Sequence, residues 1–282
     1  MMRETTNLKT LEPSGFLKFL YRNKIGRGLL KVLITKPVSS VAGAFLSTPL
    51  SKPLIKGFIK NNSIDMSQFE EKNFSNYNEF FIRKIREEKR PICFEKDALI
   101  SPADSRLLVY KIDENLNFRI KNAYYSLVTL FENKALAKEF EGGYLLVFRL
   151  CVDDYHRYCY FDSGEILDNK YIKSKLHTVQ PIALEKDDYF KENSREITVL
   201  KTDNFGKAVM VEIGAMMVGK IVNHKRSGVF KKGEEKGYFK FGGSTVALVL
   251  KNACVDEEII SNSSKNLETR VLYGEKIGEM KG

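Results

Sequence analysis

Three short segments of this 282-residue chain carry side chains that could do chemistry together. Ser101-Pro102-Ala103-Asp104-Ser105 joins two apolar runs and sets one carboxylate at an expected strand edge. Aspartate in such a place is ordinarily a turn former that hydrogen-bonds its own backbone. Val152-Asp153-Asp154-Tyr155-His156-Arg157-Tyr158 follows a strongly apolar run and holds one of the chain's three histidines. A histidine at the end of a buried strand can act as a general base near neutral pH, although a lone one is more often structural. Phe239-Lys240-Phe241-Gly242-Gly243-Ser244-Thr245-Val246 places two glycines before a hydroxyl nucleophile. Glycines let the backbone adopt strained conformations beside that hydroxyl, and they equally mark a bulge or turn before a strand. Each segment alone is a weak signal. Together they supply a hydroxyl, a base and a carboxylate that could orient the base, an arrangement with no fixed chain order. This content points to an activated serine, attacking either a substrate or its own backbone. A conventional serine hydrolase gains no support, because the GxSxG elbow is absent.

These side chains must be positioned by the surrounding elements. Residues 78–92 read as a helix ended by Pro91. Beyond it, short runs rich in Val, Ile, Leu and Tyr dominate, including ALISPADSRLLVY, YLLVFRLCV, REITVLKT, KAVMVEIGAMMVGKIV and STVALVLKN. Long helices do not alternate with these strands. The expected fold is therefore α+β: N-terminal, membrane-associating helices followed by a mainly antiparallel β core.

The net charge of +10 is unevenly spread. Residues 1–62 contain eleven Lys and Arg against two Glu, a net of +9, which leaves +1 for all the rest. Residues 16–33, FLKFLYRNKIGRGLLKVL, place apolar residues at roughly helical spacing with cations between them. Such a helix suits an anionic membrane surface, and on periodicity alone it could equally pack its apolar stripe on the core. Residues 37–50 are uncharged but interrupted by proline, short of the ~20 apolar residues of a spanning helix. The expected division is a basic N-terminal segment, 1–62, and a catalytic domain, 63–282. Nucleic acid is a poor partner for this basic segment, which lacks aromatic-plus-glycine stacking motifs. The four cysteines, Cys93, Cys151, Cys159 and Cys254, have neither zinc-site nor disulfide-scaffold spacing. With no secretory leader pattern, the default is a reducing compartment.

The ordered segments YNEFFIRKIREEKRPI, SPADS, GGYLLVFRLCVDDYHRY, VEIGAMMVGKI, FKKGEEKGYFKFGGSTVALVL and ETRVLYGEKIG carry a family likeness. From about residue 73 to 278 the chain resembles the phosphatidylserine decarboxylases, self-processing carboxy-lyases that use a pyruvoyl group. The resemblance implies that Ser244 attacks the Gly243 carbonyl, with His156 as base and Asp104 orienting the imidazole. Elimination would then cut the chain into a β chain, 1–243, and an α chain, 244–282. Hydrolysis would release ammonia and leave a pyruvoyl group at former Ser244, whose ketone would form a Schiff base with the serine amine of phosphatidylserine. Phosphatidylethanolamine would be the product, and no metal is implied. A homodimer is common in the family, and the implied location is peripheral, on the cytoplasmic face of the cell membrane. Two departures stand out: Cys159 occupies a position where the family commonly has a second histidine, and PADG reads PADS. His224 and His177 are the alternative bases. Two alternative functions remain: the same chemistry on a related serine lipid such as archaetidylserine, or a membrane-binding homologue that no longer cuts itself.

Overall fold

The apolar runs become strands that pair antiparallel throughout the described part of the chain. The fold is given by a computed structural model that describes residues 3–7, 19–20, 23, 26, 36–120, 123–173, 193–214, 220–240 and 244–282. A nine-stranded sheet runs in the order β1 (Thr5–Asn7), β16 (Leu267–Val271), β3 (Ser105–Lys111), β6 (Tyr144–Leu150), β14 (Ser244–Leu250), β10 (Gly206–Ile213), β9 (Arg195–Thr202), β8 (Gly164–Ile172) and β12 (Gly228–Phe230). Two three-stranded sheets accompany it. One is β11 (Lys220–Asn223), β13 (Glu235–Lys240) and β7 (Arg157–Cys159), and the other is β15 (Ala253–Val255), β17 (Lys276–Met280) and β2 (Ala98–Ile100). A hairpin joins β4 (Asn117–Ile120) to β5 (Ala123–Ser126).

Both faces of the large sheet are covered. Val246, Leu248 and Leu250 enter a core with Tyr158 of β7, Phe239 of β13 and Ile277 of β17. Ala247 and Val249 face the other way, into a core with Leu130 and Phe131 of α4 (Leu127–Phe131) and Ala137 of α5 (Lys134–Lys138). This explains why STVALVL reads as an unbroken apolar run: every residue of β14 is buried.

The N-terminal part holds α1 (Lys36–Leu46), a 3-10 turn at Pro49–Ser51, α2 (Pro53–Asn61) and α3 (Tyr77–Phe81). Pro49 and Pro53 break the uncharged stretch into these short pieces. No helix among the described residues is long and apolar enough to cross a membrane. Leu46, Ile55, Phe74, Tyr77, Phe80 and Phe81 form their own cluster. Of the expected helix at 16–33, all but residues 19, 20, 23 and 26 lie outside the described residues.

One expectation is corrected. The helix expected over 78–92 is only Tyr77–Phe81, with a 3-10 turn at Glu87–Lys89. It starts on a reciprocal cap: the Asn76 side chain accepts from the Glu79 N–H, and Glu79 accepts from the Ser75 N–H. It stops because the Ile82 carbonyl receives the Arg157 guanidinium, at 2.7 and 2.9 Å, while the Arg86 N–H goes to Gln68. Residues 5–7 pair with β16 at the edge of the large sheet, and Arg3 bonds Asp256 and Glu275.

Gly237 gives this fold a direct test. A Cβ there would lie 2.1 Å from the Val222 carbonyl oxygen and 2.9 Å from the Tyr158 hydroxyl. Backbone atoms cannot yield to it cheaply, so Gly237→Ala should destabilise by about 1–3 kcal/mol or more. Thermal unfolding of the variant should show a clear fall in melting temperature; an unchanged one would contradict the packing of β11 on β13.

Candidate active site

Strand register brings the ends of several strands together at one edge of the large sheet. Ser244, the first residue of β14, pairs with Leu150, the last of β6, and Thr245 pairs with Ile213, the last of β10. On the other side of β6, Arg106 pairs with Arg149, so Asp104 lies just before the neighbouring strand end. Asp104 and Ser244 are thus about two strand spacings apart, roughly 10 Å.

The Ser244 side chain is fully buried, and its Oγ has no hydrogen-bond partner among the described residues. A buried hydroxyl left this way costs about 1–3 kcal/mol, so it requires a reason. Gly243 lies outside the described residues, as does His177.

His156 is also fully buried. Its carbonyl accepts from the Phe239 N–H of β13 at 3.0 Å, five residues before Ser244. Its Nδ1 lies 2.9 Å from the Asp154 carbonyl oxygen. A carbonyl can only accept, so Nδ1 carries a proton, and the tautomer this contact selects is the one whose lone pair is on Nε2. Phe81 packs on the imidazole with ring centroids 4.1 Å apart. The Asp154 carboxylate accepts from the Cys151 N–H at 2.7 Å, closing the turn, and meets Arg106 at 3.4 Å. Burial pushes the Asp154 carboxyl up to about 6, although Arg106 opposes this.

The orienting acceptor is therefore the Asp154 carbonyl, where sequence reasoning expected the Asp104 carboxylate. Both Asp104 oxygens are engaged with Arg90, at 2.6 to 3.0 Å, and one also accepts from the Tyr273 N–H at 2.8 Å. A bidentate guanidinium holds a carboxylate firmly. Ser105, in place of the family's glycine, sits in β3 and is absent from the residues with positive φ, so it is accommodated without strain.

The remaining expected groups lie elsewhere. His224 follows β11, donates its N–H to the Lys236 carbonyl, and pairs its exposed ring with Glu235 at 2.7 Å. It sits at the end of β13 remote from Ser244. Cys159 is buried in the core of β7, and burial pushes its thiol up to about 12, so it stays neutral at physiological pH.

Sequence reasoning missed the arginines that build this site. Arg83 is almost fully buried, lies over the Phe69 and Phe80 rings at 4.3 and 4.7 Å, and donates to the Asp153 carbonyl at 3.3 Å. Burial pulls its guanidinium down to about 10. Arg157 ties the same loop to Ile82 and Glu235. A signal was available: arginines within an apolar segment must find carbonyls or carboxylates when buried. Also missed were Glu212 and Lys236, both fully buried and paired at 2.8 Å. Beside Arg90, Tyr155 and Tyr273, a cleft of about 790 Å³ runs to Lys231 and Lys232.

A neutral, buried thiol cannot be a base, so Cys159→Ser should leave self-cleavage intact, if the chain cleaves. In the folded protein a maleimide should label the exposed Cys254 well before Cys159. Early labelling of Cys159 would contradict its burial.

Comparison with known proteins adds an independent line. A family model described as phosphatidylserine decarboxylase matches residues 77–279. A phosphatidylserine decarboxylase proenzyme 2 from Clostridium acetobutylicum is 48% identical over 269 residues, covering 94% of this chain and 92% of its own. Phosphatidylserine decarboxylase proenzymes from Ruminiclostridium cellulolyticum and Fusobacterium nucleatum are 41% and 38% identical, covering 93% and 99% of this chain and 90% and 96% of theirs.

Proposed function

This chain belongs to the phosphatidylserine decarboxylase family, pyruvoyl enzymes made as proenzymes, and from that premise we propose that it cuts itself before Ser244 and converts phosphatidylserine to phosphatidylethanolamine. The observation that carries the residue assignment is the buried hydroxyl of Ser244 at the start of β14, which has no hydrogen-bond partner among the described residues. A side chain of this kind, at the very end of a strand and kept from water, fits the precursor of a pyruvoyl group.

In this reading Ser244 Oγ attacks the Gly243 carbonyl and the acyl group moves from nitrogen to oxygen. His156 Nε2 takes the hydroxyl proton, and the Asp154 carbonyl holds the ring in the required tautomer. Loss of the Ser244 α-proton expels the new ester as a carboxylate on Gly243, which divides the chain. Water then replaces the nitrogen at residue 244, and ammonia leaves. The pyruvoyl ketone supplies an electron sink while carbon dioxide departs from the lipid's serine carboxylate. His156 remains beside that position to move a proton. Asp104 is a positioning residue: through Arg90 it seats segment 77–90, and with it Phe81, against His156. The same head-group chemistry would serve archaetidylserine.

The enzyme acts, in this reading, as a peripheral protein on the cytoplasmic face of the membrane. Val41 and Leu50 are 72% and 77% exposed, and Phe45 and Leu54 are also exposed, all on α1, α2 or the turn between them. Lys52, Lys56 and Lys60 are exposed alongside. Apolar side chains ringed by cations suit an anionic lipid interface. Four free cysteines accord with a reducing compartment.

Intact-mass spectrometry tests the chemistry. Wild type should give two chains split before residue 244, the smaller bearing pyruvoyl in place of serine. Ser244→Ala should give one uncleaved, inactive chain of about the 32.3 kDa parent mass. His156→Ala should lose processing or turnover. A cleaved Ser244→Ala would refute the assignment, and normal His156→Ala activity would pass the base role to His224 or His177. Leu50→Ser with Leu54→Ser should reduce sedimentation with vesicles of phosphatidylserine and phosphatidylcholine, most at high salt. Undiminished binding would remove α2 from the membrane face.

A further inference from the structure

Glu212 lies on β10 directly opposite Val246 of β14, two residues from Ser244 on the same face of the sheet. Such diagonal neighbours are about 7–8 Å apart. The Glu212 side chain is fully buried. One of its oxygens, Oε2, accepts from Lys236 Nζ at 2.8 Å and from Asn223 Nδ2 at 2.9 Å, and the Asn223 Oδ1 accepts from the Tyr158 hydroxyl at 2.9 Å. Its other oxygen, Oε1, has no hydrogen-bond partner among the described residues. Glu196, opposite Glu212 on β9 and buried to 4% exposure, likewise has an Oε1 without a partner.

This arrangement is built at some expense. Lys236 sits where the register of β13 against β7 shifts, a bulge that turns its side chain inward. Gly237 leaves space for the Tyr158–Asn223 bond. Burial pushes the Glu212 carboxyl up, and Lys236 and Asn223 oppose this. Lys236 thus pairs with one of two adjacent buried carboxyl groups, and on the sheet face of Ser244 each group keeps one oxygen without a partner among the described residues. Acceptors kept dry and unfilled call for a donor that arrives with the substrate.

We infer that Glu212, fixed by Lys236 and assisted by Glu196, receives the ammonium group of the lipid's serine head group and delivers it to residue 244. This rests on the decarboxylase reading. Because it concerns the amine, it separates lipids with an ammonium group from those with a neutral or purely anionic head. Glu212 is then a substrate-binding residue, and Lys236 and Asn223 position it.

The test compares wild type with Glu212→Gln, which keeps the shape and removes the charge. Processing is read first by intact mass: an unprocessed wild type would defeat the decarboxylase reading itself. With processed enzyme, the KM for dihexanoyl-phosphatidylserine should rise tenfold or more in Glu212→Gln. Calorimetry then compares two short-chain lipids that cannot condense with a ketone, a dihexanoyl N,N-dimethylethanolamine lipid and dihexanoyl-phosphatidylethanol. Wild type should bind the amine lipid at least tenfold more tightly, and Glu212→Gln should bind the two alike. Lys236→Met, which removes the cation that holds the Glu212 carboxylate, should lose the same preference. If a variant folds without cleaving, the calorimetry is run on the uncleaved chain beside Ser244→Ala. An amine preference retained in Glu212→Gln, or absent from wild type that turns over normally, would overturn the inference and leave the decarboxylase reading standing.

Discussion

Strand β14 is hydrogen-bonded on both sides, to β6 and to β10, and buried on both faces. Its register decides which side chains enter which core. A slip of one residue would turn Ser244 out of the face it shares with Val246 and Glu212 and toward the helices on the opposite face. The apolar partners on both sides resist such a slip, because every buried residue of β14 would exchange environments. The placement of its first residue is therefore set by the six apolar residues that follow it.

The second requirement is that the loop carrying His156 stay in place, although it has little regular structure of its own. Charged side chains supply the hold. Arg83 reaches the Asp153 carbonyl, Arg157 reaches Ile82, and Arg90 grips Asp104, so that segment 77–90 wraps the loop from outside. Removing one partner of such a buried charge costs about 3–5 kcal/mol, because the remaining charge is left without compensation. Phe81 closes the wrap by lying on the imidazole, and the same ring belongs to the aromatic cluster beneath α1 and α2. Helices α1 and α2 and the histidine thus share one packed layer.

The antiparallel core was legible because its strands are long apolar runs bounded by turn residues, as in β6 and β14. The serine and the histidine were singled out by residue type and by motif order, and both side chains are fully buried. The short α3 was not. Its end is set by contacts distant in the chain, Arg157 on the Ile82 carbonyl from 75 residues away and the Arg86 N–H on Gln68. The partner of His156 was misread for a similar reason: a backbone carbonyl leaves no mark in a sequence, whereas an aspartate invites assignment. The edge strand β1 is three polar residues, with no apolar alternation to announce it.

The path of the segment that follows Ser244 has a consequence for the mature enzyme. Residues 244–282 supply β14 in the middle of the large sheet, β16 between β1 and β3, and β15 and β17 of a smaller sheet. After a cut before Ser244 this piece is not a subunit resting on another. It is threaded through three places in the fold, and it could leave only if the sheets came apart. Exchange between molecules would require global unfolding, so a spent or damaged small chain has no route to replacement. A molecule cut there would mature once, and its working life would end with that of its fold.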